Sequence, residues 1–310
     1  MKIVRGSRQS VPNGSSSVIA IGNFDGIHLG HKKIIEKTIS LAGKDGISVI
    51  YTLEPHPAKL LIPELAPPLL QTQKQKERMF ERLGVEILII EPFTKEFAVL
   101  KPRDFFRSII KDRLMAREIV VGYDFTFGFH RLGKISDLKS LAERENIKVH
   151  VVDAVFVNEM LVSSTHIRIL IERGDIETAN TLLGRAYSII GKVVKGRGVG
   201  QTLGFHTANL DTRNELIPPP GVYITKTQIW DKEYPSVTNI GFNPTFGTGN
   251  LSIETHILDF EENILEKEIE IEFYKKIRNE MTFPSVNDLR EEIKKDILEA
   301  RRFYGGRKER

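Results

Sequence analysis

The chain has 310 residues, enough for two domains of ordinary size, and its 40% hydrophobic and 28% charged residues are typical of a folded globular protein. Its 45 basic and 41 acidic residues leave a formal charge of +4, which suits polyphosphate ligands but is too small and too scattered to indicate nucleic-acid binding. The absence of cysteine excludes disulfides, thiolate metal sites and a cysteine nucleophile, and it fits a cytoplasmic protein.

The first half of the chain alternates short apolar runs with segments of helical periodicity. Buried strands are predicted at residues 18–22, 47–53, 86–90, 119–122 and 148–152, and helices at residues 32–42, 73–83, 103–114 and 137–144. Strands separated by helices of this length predict a parallel sheet with right-handed crossovers, which is a doubly wound α/β domain. Ligands of such a domain bind beyond the carboxyl ends of the strands.

The run GNFDGIHLGH, residues 22–31, follows the first predicted strand and opens the first predicted helix. Its glycines let the backbone approach a phosphate, and the start of a helix offers N–H groups and a partial positive charge. His28 and His31 are three residues apart and project to one side of this opening. The run therefore predicts an anion cradle with two imidazole donors, although an ordinary turn with two surface histidines is the alternative.

Three further runs sit at strand or helix ends. EPHP, residues 54–57, follows the second predicted strand, and GYDFTFG, residues 122–128, follows the fourth, with Arg131 and Gly133 shortly after it. In VSSTHIR, residues 162–168, the hydroxyls are candidate N-caps of a helix that carries an arginine one turn in. Amides, hydroxyls and a guanidinium could then meet a pyrophosphate group, but plain helix capping explains the same residues.

Taken together, these runs resemble the FMN adenylyltransferase half of prokaryotic bifunctional FAD synthetases, and residues 28–31 resemble the HxGH signature of the nucleotidyltransferase superfamily. The resemblance implies transfer of AMP from ATP to FMN, with His28 and His31 as the catalytic donors. Direct attack on the α-phosphorus needs orientation and charge neutralisation rather than a covalent intermediate. The flavin contacts that it implies are His56, Pro57, Asp124 and Phe127. The ATP and phosphate contacts that it implies are Gly22, Phe24, Asp25, Gly26, Gly30, Ser163, Ser164, Thr165 and Arg168.

The pattern changes beyond residue 184. Residues 187–194, 221–228, 236–240 and 251–260 are rich in β-forming residues and are separated by Gly, Pro and Asn, which predicts a small antiparallel barrel. A charged amphipathic helix is predicted at residues 285–303, with Ser285 as its N-cap. The predicted boundary near Arg185 gives one domain at residues 1–185 and a second at residues 186–310.

The run GRGVGQTLGFHTAN, residues 196–209, is rich in glycine but lacks the GxxxxGK[ST] pattern and leads into no predicted helix, which argues against a P-loop kinase. It predicts a loop around phosphates inside a β domain. Thr207 and Asn209 lie on one side of an extended segment, and their oxygens are ligands that Mg²⁺ bound to a nucleotide prefers. An ordinary hairpin loop explains the run equally well.

This run resembles the PTAN segment of riboflavin kinase, a six-stranded barrel, and residues 221–223, 239–246 and 254–260 match further landmarks of that family. The resemblance implies phosphorylation of riboflavin by Mg²⁺-ATP, with Glu254 as the general base. A solvent-facing strand residue is the alternative for Glu254, and a core anchor for the last helix is the alternative for Phe283. The implied phosphate contacts are Gly196, Gly198, Gly200 and Gly204, the implied metal ligands are Thr207 and Asn209, and the implied flavin contacts are Arg278 and Phe283.

His206 stands where the kinase family has proline. Proline would fix φ and stiffen the approach to Thr207, whereas histidine leaves the approach looser and adds a titratable group. Because Thr207 and Asn209 are retained, we expect a working but weaker kinase.

The two resemblances cover residues 18–303 and predict FMN formation at the barrel followed by FAD formation at the sheet. One alternative is a monofunctional FMN adenylyltransferase whose β domain binds flavin without phosphorylating it. Another is a flavin-sensing regulator that binds nucleic acid, for which no recognition helix or basic-aromatic stripe is present. Without an apolar run of about 18 residues or a signal-peptide pattern, we expect neither a membrane partner nor secretion. A homo-oligomer is compatible with the sequence.

Overall fold

The computed structural model describes residues 1–6, 16–196, 205–242 and 251–306. Its contacts divide the chain into two compact units, one with residues Met1–Pro68 and Gln73–Ser163 and the other with residues Leu69–Thr72 and Ser164–Arg310. The contact division therefore lies between Ser163 and Ser164. The domain boundary near Arg185 stays a prediction from the change in sequence pattern.

The first unit is a sheet with helices on both of its faces. Its strands are β1 (Lys2–Arg5), β2 (Ser16–Ile21), β3 (Gly46–Glu54), β4 (Ile87–Pro92), β5 (Ala116–Gly122), β6 (Lys148–Val152), β7 (Phe156–Val157) and β8 (Met160–Leu161). Its helices are α1 (Leu29–Ala42), α2 (Pro57–Leu61), α3 (Gln73–Arg82), α4 (Lys95–Ala98), α5 (Pro102–Phe105) and α6 (Ile135–Glu143). Single 3₁₀ turns lie at Pro63–Leu65 and Phe129–Arg131.

The main sheet has the strand order β1-β4-β3-β2-β5-β6, and all neighbouring strands are parallel. This confirms the doubly wound α/β prediction, and the five predicted strands correspond to β2 through β6. The prediction missed β1, which pairs with β4 at the sheet edge. Of its four residues, two are charged and Val4 alone is buried, so β1 has too short an apolar run to be recognised.

Two hydrophobic cores fill the two faces of the sheet. Along β2, Val18 and Ala20 point to the side covered by α1 and α3, whereas Ile19 points to the side covered by α5 and α6. Strands that are buried on both faces need apolar residues at every position. This is why residues 18–21 of β2 form a continuous apolar run rather than an alternating one.

The predicted helix at residues 103–114 is not a single α-helix. After α5, the chain forms a wider π-helical segment at Phe106–Lys111, where Asp112 N–H donates to Arg107 O at 2.9 Å. Phe106, Ile109 and Ile110 are all buried against the sheet. Helical periodicity predicted the position of this segment correctly but not its winding.

The second unit contains two helices, a barrel and a terminal helix. The helices are α7 (Ser164–Glu172), α8 (Ile176–Leu183) and α9 (Val286–Gly305). The strands are β9 (Tyr187–Val194), β10 (Thr207–Thr212), β11 (Gly221–Ile229), β12 (Lys232–Phe242), β13 (Leu251–Ile257) and β14 (Glu268–Arg278).

The six strands close into an antiparallel barrel in the order β10-β13-β12-β11-β14-β9. This confirms the predicted six-stranded barrel with a terminal helix, and Ser285 caps α9 by accepting from Asp288 N–H at 3.2 Å. The prediction missed β14, although its EIEIEF sequence alternates strictly between acidic and apolar residues. Helix α9 covers the outside of the barrel, where Val222 and Ile224 pack near Ala300.

The inside of the barrel holds a closed ring of buried hydroxyl groups. The ring runs through Thr225, Ser236, Thr227, Thr255 and Thr238, with oxygen separations of 2.8, 2.8, 3.5, 3.0 and 2.8 Å back to Thr225. All five residues are fully buried. In a closed ring every hydroxyl donates one hydrogen bond and accepts one, so the barrel buries five polar groups without leaving a donor unsatisfied.

Replacing Thr238 by valine should destabilise the barrel by about 1–3 kcal/mol, because two buried hydroxyls would each lose a ring partner. The single tryptophan of the chain, Trp230, lies in this unit and reports its unfolding in urea by fluorescence. Thr181→Val is the matched control, since this threonine is exposed and donates to Glu177 O on α8. Equal midpoints for Thr238→Val and the control would contradict a stabilising role of the ring.

Candidate functional site

The strand order of the first sheet reverses at β2, whose neighbours are β3 and β5. In open parallel sheets such a reversal opens a crevice at the carboxyl ends of the strands. The loop of residues 22–28 follows β2 and the loop of residues 123–134 follows β5, so both border this crevice. The GNFDGIHLGH run therefore lies where a doubly wound fold places its ligands.

The two histidines of this run form one stacked pair at the start of α1. Their ring centroids are 3.6 Å apart with an interplanar angle of 16°. His28 is the N-cap, and its Nδ1 accepts from the main-chain N–H of His31 at 3.3 Å. Because Nδ1 accepts, the proton of the neutral His28 ring is on Nε2. Nε2 of His28 is thus a hydrogen-bond donor.

The residues around the pair leave little freedom to the loop. A Cβ atom at Gly30 would lie 3.2 Å from Cε1 of His28, and a Cβ atom at Gly22 would lie 3.2 Å from the Phe24 ring. Gly26 has φ +87°, a left-handed conformation that favours glycine. Phe24 is 1% exposed and packs edge-on against the His31 ring at 5.3 Å. Its side chain therefore supports the imidazole, and only its backbone could meet a nucleotide.

Asp25 is also buried, with 4% of its surface exposed. The EPHP run continues from β3, and His56 is the N-cap of α2, which begins at Pro57. His56 Nδ1 accepts from Ala58 N–H at 3.2 Å, and its Nε2 lies 3.3 Å from the side-chain amide of Asn23. The loops after β2 and β3 are thus joined by a direct side-chain contact.

The loop after β5 carries two candidate flavin contacts, of which one is exposed and the other is buried. Asp124 is exposed beside Gly122, where its Oδ1 would lie 3.4 Å from an added Cβ atom. Phe127 is 6% exposed and packs against Phe105 with ring centroids 5.8 Å apart. The Phe127 ring belongs to the core, so it shapes the loop rather than offering a face to a ligand.

The VSSTHIR run, residues 162–168, contains the division between the two units. Ser163 ends the first unit, and α7 begins at Ser164 in the second, as the predicted helix start requires. Within α7, Thr165 is exposed and Arg168 is 8% exposed.

Sequence reasoning missed Lys76, which is 6% exposed on α3. Its Nζ donates to the main-chain oxygen of Asn23 at 3.1 Å. Burial lowers the pKa of Lys76, and the negative charges of Asp25, Glu54 and Glu77 oppose that shift. A signal existed in the sequence, because Lys76 lies four residues before the buried Phe80 and so occupies the apolar face of the helix.

In the second unit, strand pairing brings the candidate kinase residues into one row. Asn209 on β10 is directly opposite Glu254 on β13, and Glu254 is opposite Asn239 on β12. Neighbouring strands are about 4.8 Å apart, so these three side chains can reach one another. Thr255 belongs to the inner hydroxyl ring, so its neighbour Glu254 points to the outside of the barrel.

Thr207 lies on the same outer face as Asn209, two residues away, and is opposite His256. His256 Nδ1 donates to the main-chain oxygen of His206 at 2.8 Å. Gly196 packs so closely on Asn209 that an added Cβ atom would lie 2.0 Å from its side-chain nitrogen. The remaining candidate glycines, Gly198, Gly200 and Gly204, lie outside the described residues, as do residues 243–246.

The row continues to Arg278 on β14, which is opposite Val222. The Arg278 guanidinium donates to both oxygens of Asp296 on α9, at 3.1 and 2.8 Å, and its Cζ lies 5.7 Å from the centre of the Phe283 ring. Asp296 is 4% exposed, and burial raises its pKa although the contact with Arg278 opposes the shift. Asp296 carries the same kind of sequence signal as Lys76, since it lies four residues before the buried Ala300.

Replacing Asp296 by asparagine should cost about 1–3 kcal/mol, because the guanidinium loses a two-point contact with a charged acceptor. Urea unfolding followed by Trp230 fluorescence measures the loss. The control is Glu299→Gln on the same helix, where the half-exposed contact with Lys275 at 3.5 Å is worth about 0–1 kcal/mol. A smaller loss for Asp296→Asn than for the control would show that the Arg278 contact is not stabilising.

Comparison with known proteins identifies both halves of the chain, in the same order as the motifs described above. A family model described as FAD synthetase matches residues 11–166, and one described as riboflavin kinase matches residues 183–304. The bifunctional riboflavin kinase/FMN adenylyltransferase of Buchnera aphidicola (strain Sg) is 35% identical over 98% of this chain and 99% of its own length. The protein of the same name from Bacillus subtilis is 36% identical over 94% of this chain and 93% of its own length.

Among solved structures, this chain is similar to one titled as a macrolide-efflux protein from Streptococcus pneumoniae. The TM-score is 0.87 with 30% sequence identity, and the match covers 97% of this chain and 99% of that one. Within the residues described here, no helix is both long and apolar enough to span a membrane. Two family models matched in sequence order, together with relatives that align over nearly their whole length, show that the chain belongs to the family of bifunctional riboflavin kinase/FMN adenylyltransferases.

Proposed function

We propose that this chain phosphorylates riboflavin with ATP at the barrel and then transfers AMP from a second ATP to FMN in the first unit, giving FAD and pyrophosphate. The observation that carries the proposal is the stacked pair of His28 and His31 at the start of α1, next to the strand-order reversal. The row formed by Asn209, Glu254 and Asn239 supports the kinase half.

In the adenylyl transfer, a phosphate oxygen of FMN attacks the α-phosphorus of ATP. The bond between that phosphorus and the bridging oxygen of the β-phosphate breaks, and pyrophosphate leaves with the electron pair. No covalent enzyme intermediate is needed, so the protein has to orient the reactants and neutralise the developing charge. His28 would donate from Nε2, and His31 would act beside it.

The binding roles in this half follow from the resemblance and from the position of each residue. Main-chain groups at Gly22, Phe24, Gly26 and Gly30 would approach the ATP phosphates, with Asp25 beneath them. We assign the flavin to the loops that carry His56, Pro57 and Asp124, while Phe127 would shape its loop from the core. The roles of Ser163, Ser164, Thr165 and Arg168 toward ATP phosphates stay predictions.

In the kinase reaction, Glu254 would take the proton from the primary hydroxyl of riboflavin as the oxygen attacks the γ-phosphorus of ATP. The bond between that phosphorus and the oxygen that bridges it to the β-phosphate breaks, and ADP leaves with the electron pair. Thr207 and Asn209 would hold Mg²⁺ together with the nucleotide. Hydroxyl and amide oxygens fit this ion, and Gly196 leaves no space for a side chain against Asn209. When bound, the ion offsets the negative charge of the phosphates. Gly196, Gly198, Gly200 and Gly204 would approach those phosphates, and Arg278 and Phe283 would contact the flavin.

The histidine at position 206 is compatible with this chemistry. Its main-chain oxygen accepts from His256, and proline would present the same oxygen at that position. The side chain of His206 is exposed. A lower kinase rate than in relatives with proline stays a prediction, as do a cytoplasmic location, homo-oligomer formation and the lack of a nucleic-acid partner.

His28→Ala and His31→Ala should each lower FAD formation from supplied FMN and ATP by about 100-fold or more, because each removes a donor aimed at the transferring phosphate. FMN formation from riboflavin in the same preparation should be unchanged and serves as an internal control. Parallel loss of both reactions would mean misfolding, and unchanged FAD formation would contradict the assigned role of the histidine pair.

Glu254→Gln should lower FMN formation from riboflavin by about 100-fold or more, since the amide cannot accept the hydroxyl proton. FAD formation from supplied FMN should persist. If Glu254→Gln leaves every turnover unchanged and the wild type makes no FMN, the monofunctional adenylyltransferase would be the better description. A time course from riboflavin that resolves FMN and FAD separates these outcomes.

A further inference from the structure

Lys76 and Thr52 donate to the same main-chain oxygen in the loop after β2. Nζ of Lys76 lies 3.1 Å from Asn23 O, and Oγ1 of Thr52 lies 3.3 Å from it. Thr52 is fully buried on β3, and Lys76 is 6% exposed on α3. Two buried donors from different elements thus hold one peptide oxygen of the loop in place.

The loop that begins at this peptide has an unusual backbone. Phe24 has φ +50° and Ile27 has φ +36°, and Gly26 between them has φ +87°. Non-glycine residues in the left-handed region are strained and persist only where surrounding contacts hold them. The oxygen of Asn23 immediately precedes the first of these residues, so its two donors act where the loop departs from strand geometry.

Asn23 also connects the loop to the EPHP segment. His56 Nδ1 accepts from the main-chain N–H of Ala58 at 3.2 Å, which fixes the orientation of the ring. Its Nε2 lies 3.3 Å from Nδ2 of the Asn23 side chain, so the two side chains are in direct contact. Holding Asn23 therefore fixes the loop that leads to His28 and the neighbouring loop that carries His56.

Burying an ammonium group is costly, and the surroundings of Lys76 only partly offset the cost. Burial lowers its pKa, against the charges of Asp25, Glu54 and Glu77. A hydrophobic residue would satisfy this position of α3, which faces the core beside Phe80. Only a residue that can donate a hydrogen bond makes the contact with Asn23 O, and a hydrophobic residue at position 76 would leave that contact unmade.

We propose that Lys76 is a positioning residue for adenylyl transfer, which with Thr52 fixes the Asn23–Phe24 peptide and so aligns the histidine pair with the His56 loop. This inference rests on the proposed function of the first unit. Lys76 acts through Asn23 and contacts no substrate in this role.

The first test compares Lys76→Met, which removes the charge and the donor, with Lys76→Arg, which keeps both. Lys76→Met should lower kcat/KM for FAD formation by about 10- to 100-fold, with higher KM values for FMN and ATP, because small displacements of a site are costly. Lys76→Arg should recover a measurable part of the loss. Lys37→Met, an exposed lysine on α1, is the control and should match the wild type.

The second test is a double-mutant cycle on FAD formation. Thr52→Val and Lys76→Met remove the two donors to one oxygen, so their combined effect should be clearly smaller or larger than the product of the single effects. Thr38→Val provides the matched pair, because Thr38 is buried and donates to Ile34 O within α1 at 2.8 Å. The effects of Lys76→Met and Thr38→Val should multiply.

FMN formation by the barrel is measured in every variant and should stay constant. The proposal is overturned if Lys76→Met forms FAD with wild-type kinetics, or if Lys76→Arg loses as much of kcat/KM for FAD formation as Lys76→Met does. It is also overturned if the effects of Lys76→Met and Thr52→Val on kcat/KM simply multiply. A wild type that makes FMN but no FAD would instead refute the proposed function of the first unit. Failure of the positioning proposal for Lys76 can therefore be distinguished from failure of the proposed function of the first unit.

Discussion

The turn between β2 and α1 is the constraint on which the first site depends. The chain has to leave the buried end of a strand, residues 17–21, and begin a helix seven residues later, and it does so with left-handed backbone at Phe24, Gly26 and Ile27. Such a backbone persists only where other groups hold it. Buried donors on α3 and β3 fix Asn23 on one side of the turn, and the ring of His28 caps α1 on the other. The geometry that strains the turn also stacks the two imidazoles at the start of the helix.

Along each strand of the barrel, side chains point alternately inward and outward. The stabilising hydroxyl ring therefore lies inside the barrel, and the candidate kinase residues lie outside it. Inward-facing threonine and serine hydroxyls close into a hydrogen-bonded ring, while the residues between them point outward. Asn209, Glu254 and Asn239 occupy adjacent strands in that outer layer. The row ends at Arg278, which α9 anchors through Asp296. The terminal helix therefore covers part of the barrel and also fixes a side chain at the end of the row.

Some strands and buried charged residues were not predicted because other patterns in the sequence are stronger than theirs. Strand β1 has one buried residue, and β14 has an alternating pattern in which glutamates occupy the outer positions. Periodicity located the segment around residues 103–114 but could not distinguish π-helical from α-helical winding, since both leave Phe106 and Ile110 on a buried side. Lys76 and Asp296 lie on buried helix faces, where a charged side chain is normally treated as an exception to the pattern.

The sequence by itself determined both fold classes, the cap of α9 and the positions of the GNFDGIHLGH, EPHP and GYDFTFG runs at the ends of strands. These features depend on residues within a few positions of one another, where glycine, side-chain caps and apolar periodicity act directly on the backbone. Tertiary structure alone decided that Asn209 faces Glu254, that Lys76 reaches Asn23 and that Arg278 meets Asp296. These pairs are distant in sequence, and they meet because the sheet packs against α3 and the barrel closes in one register.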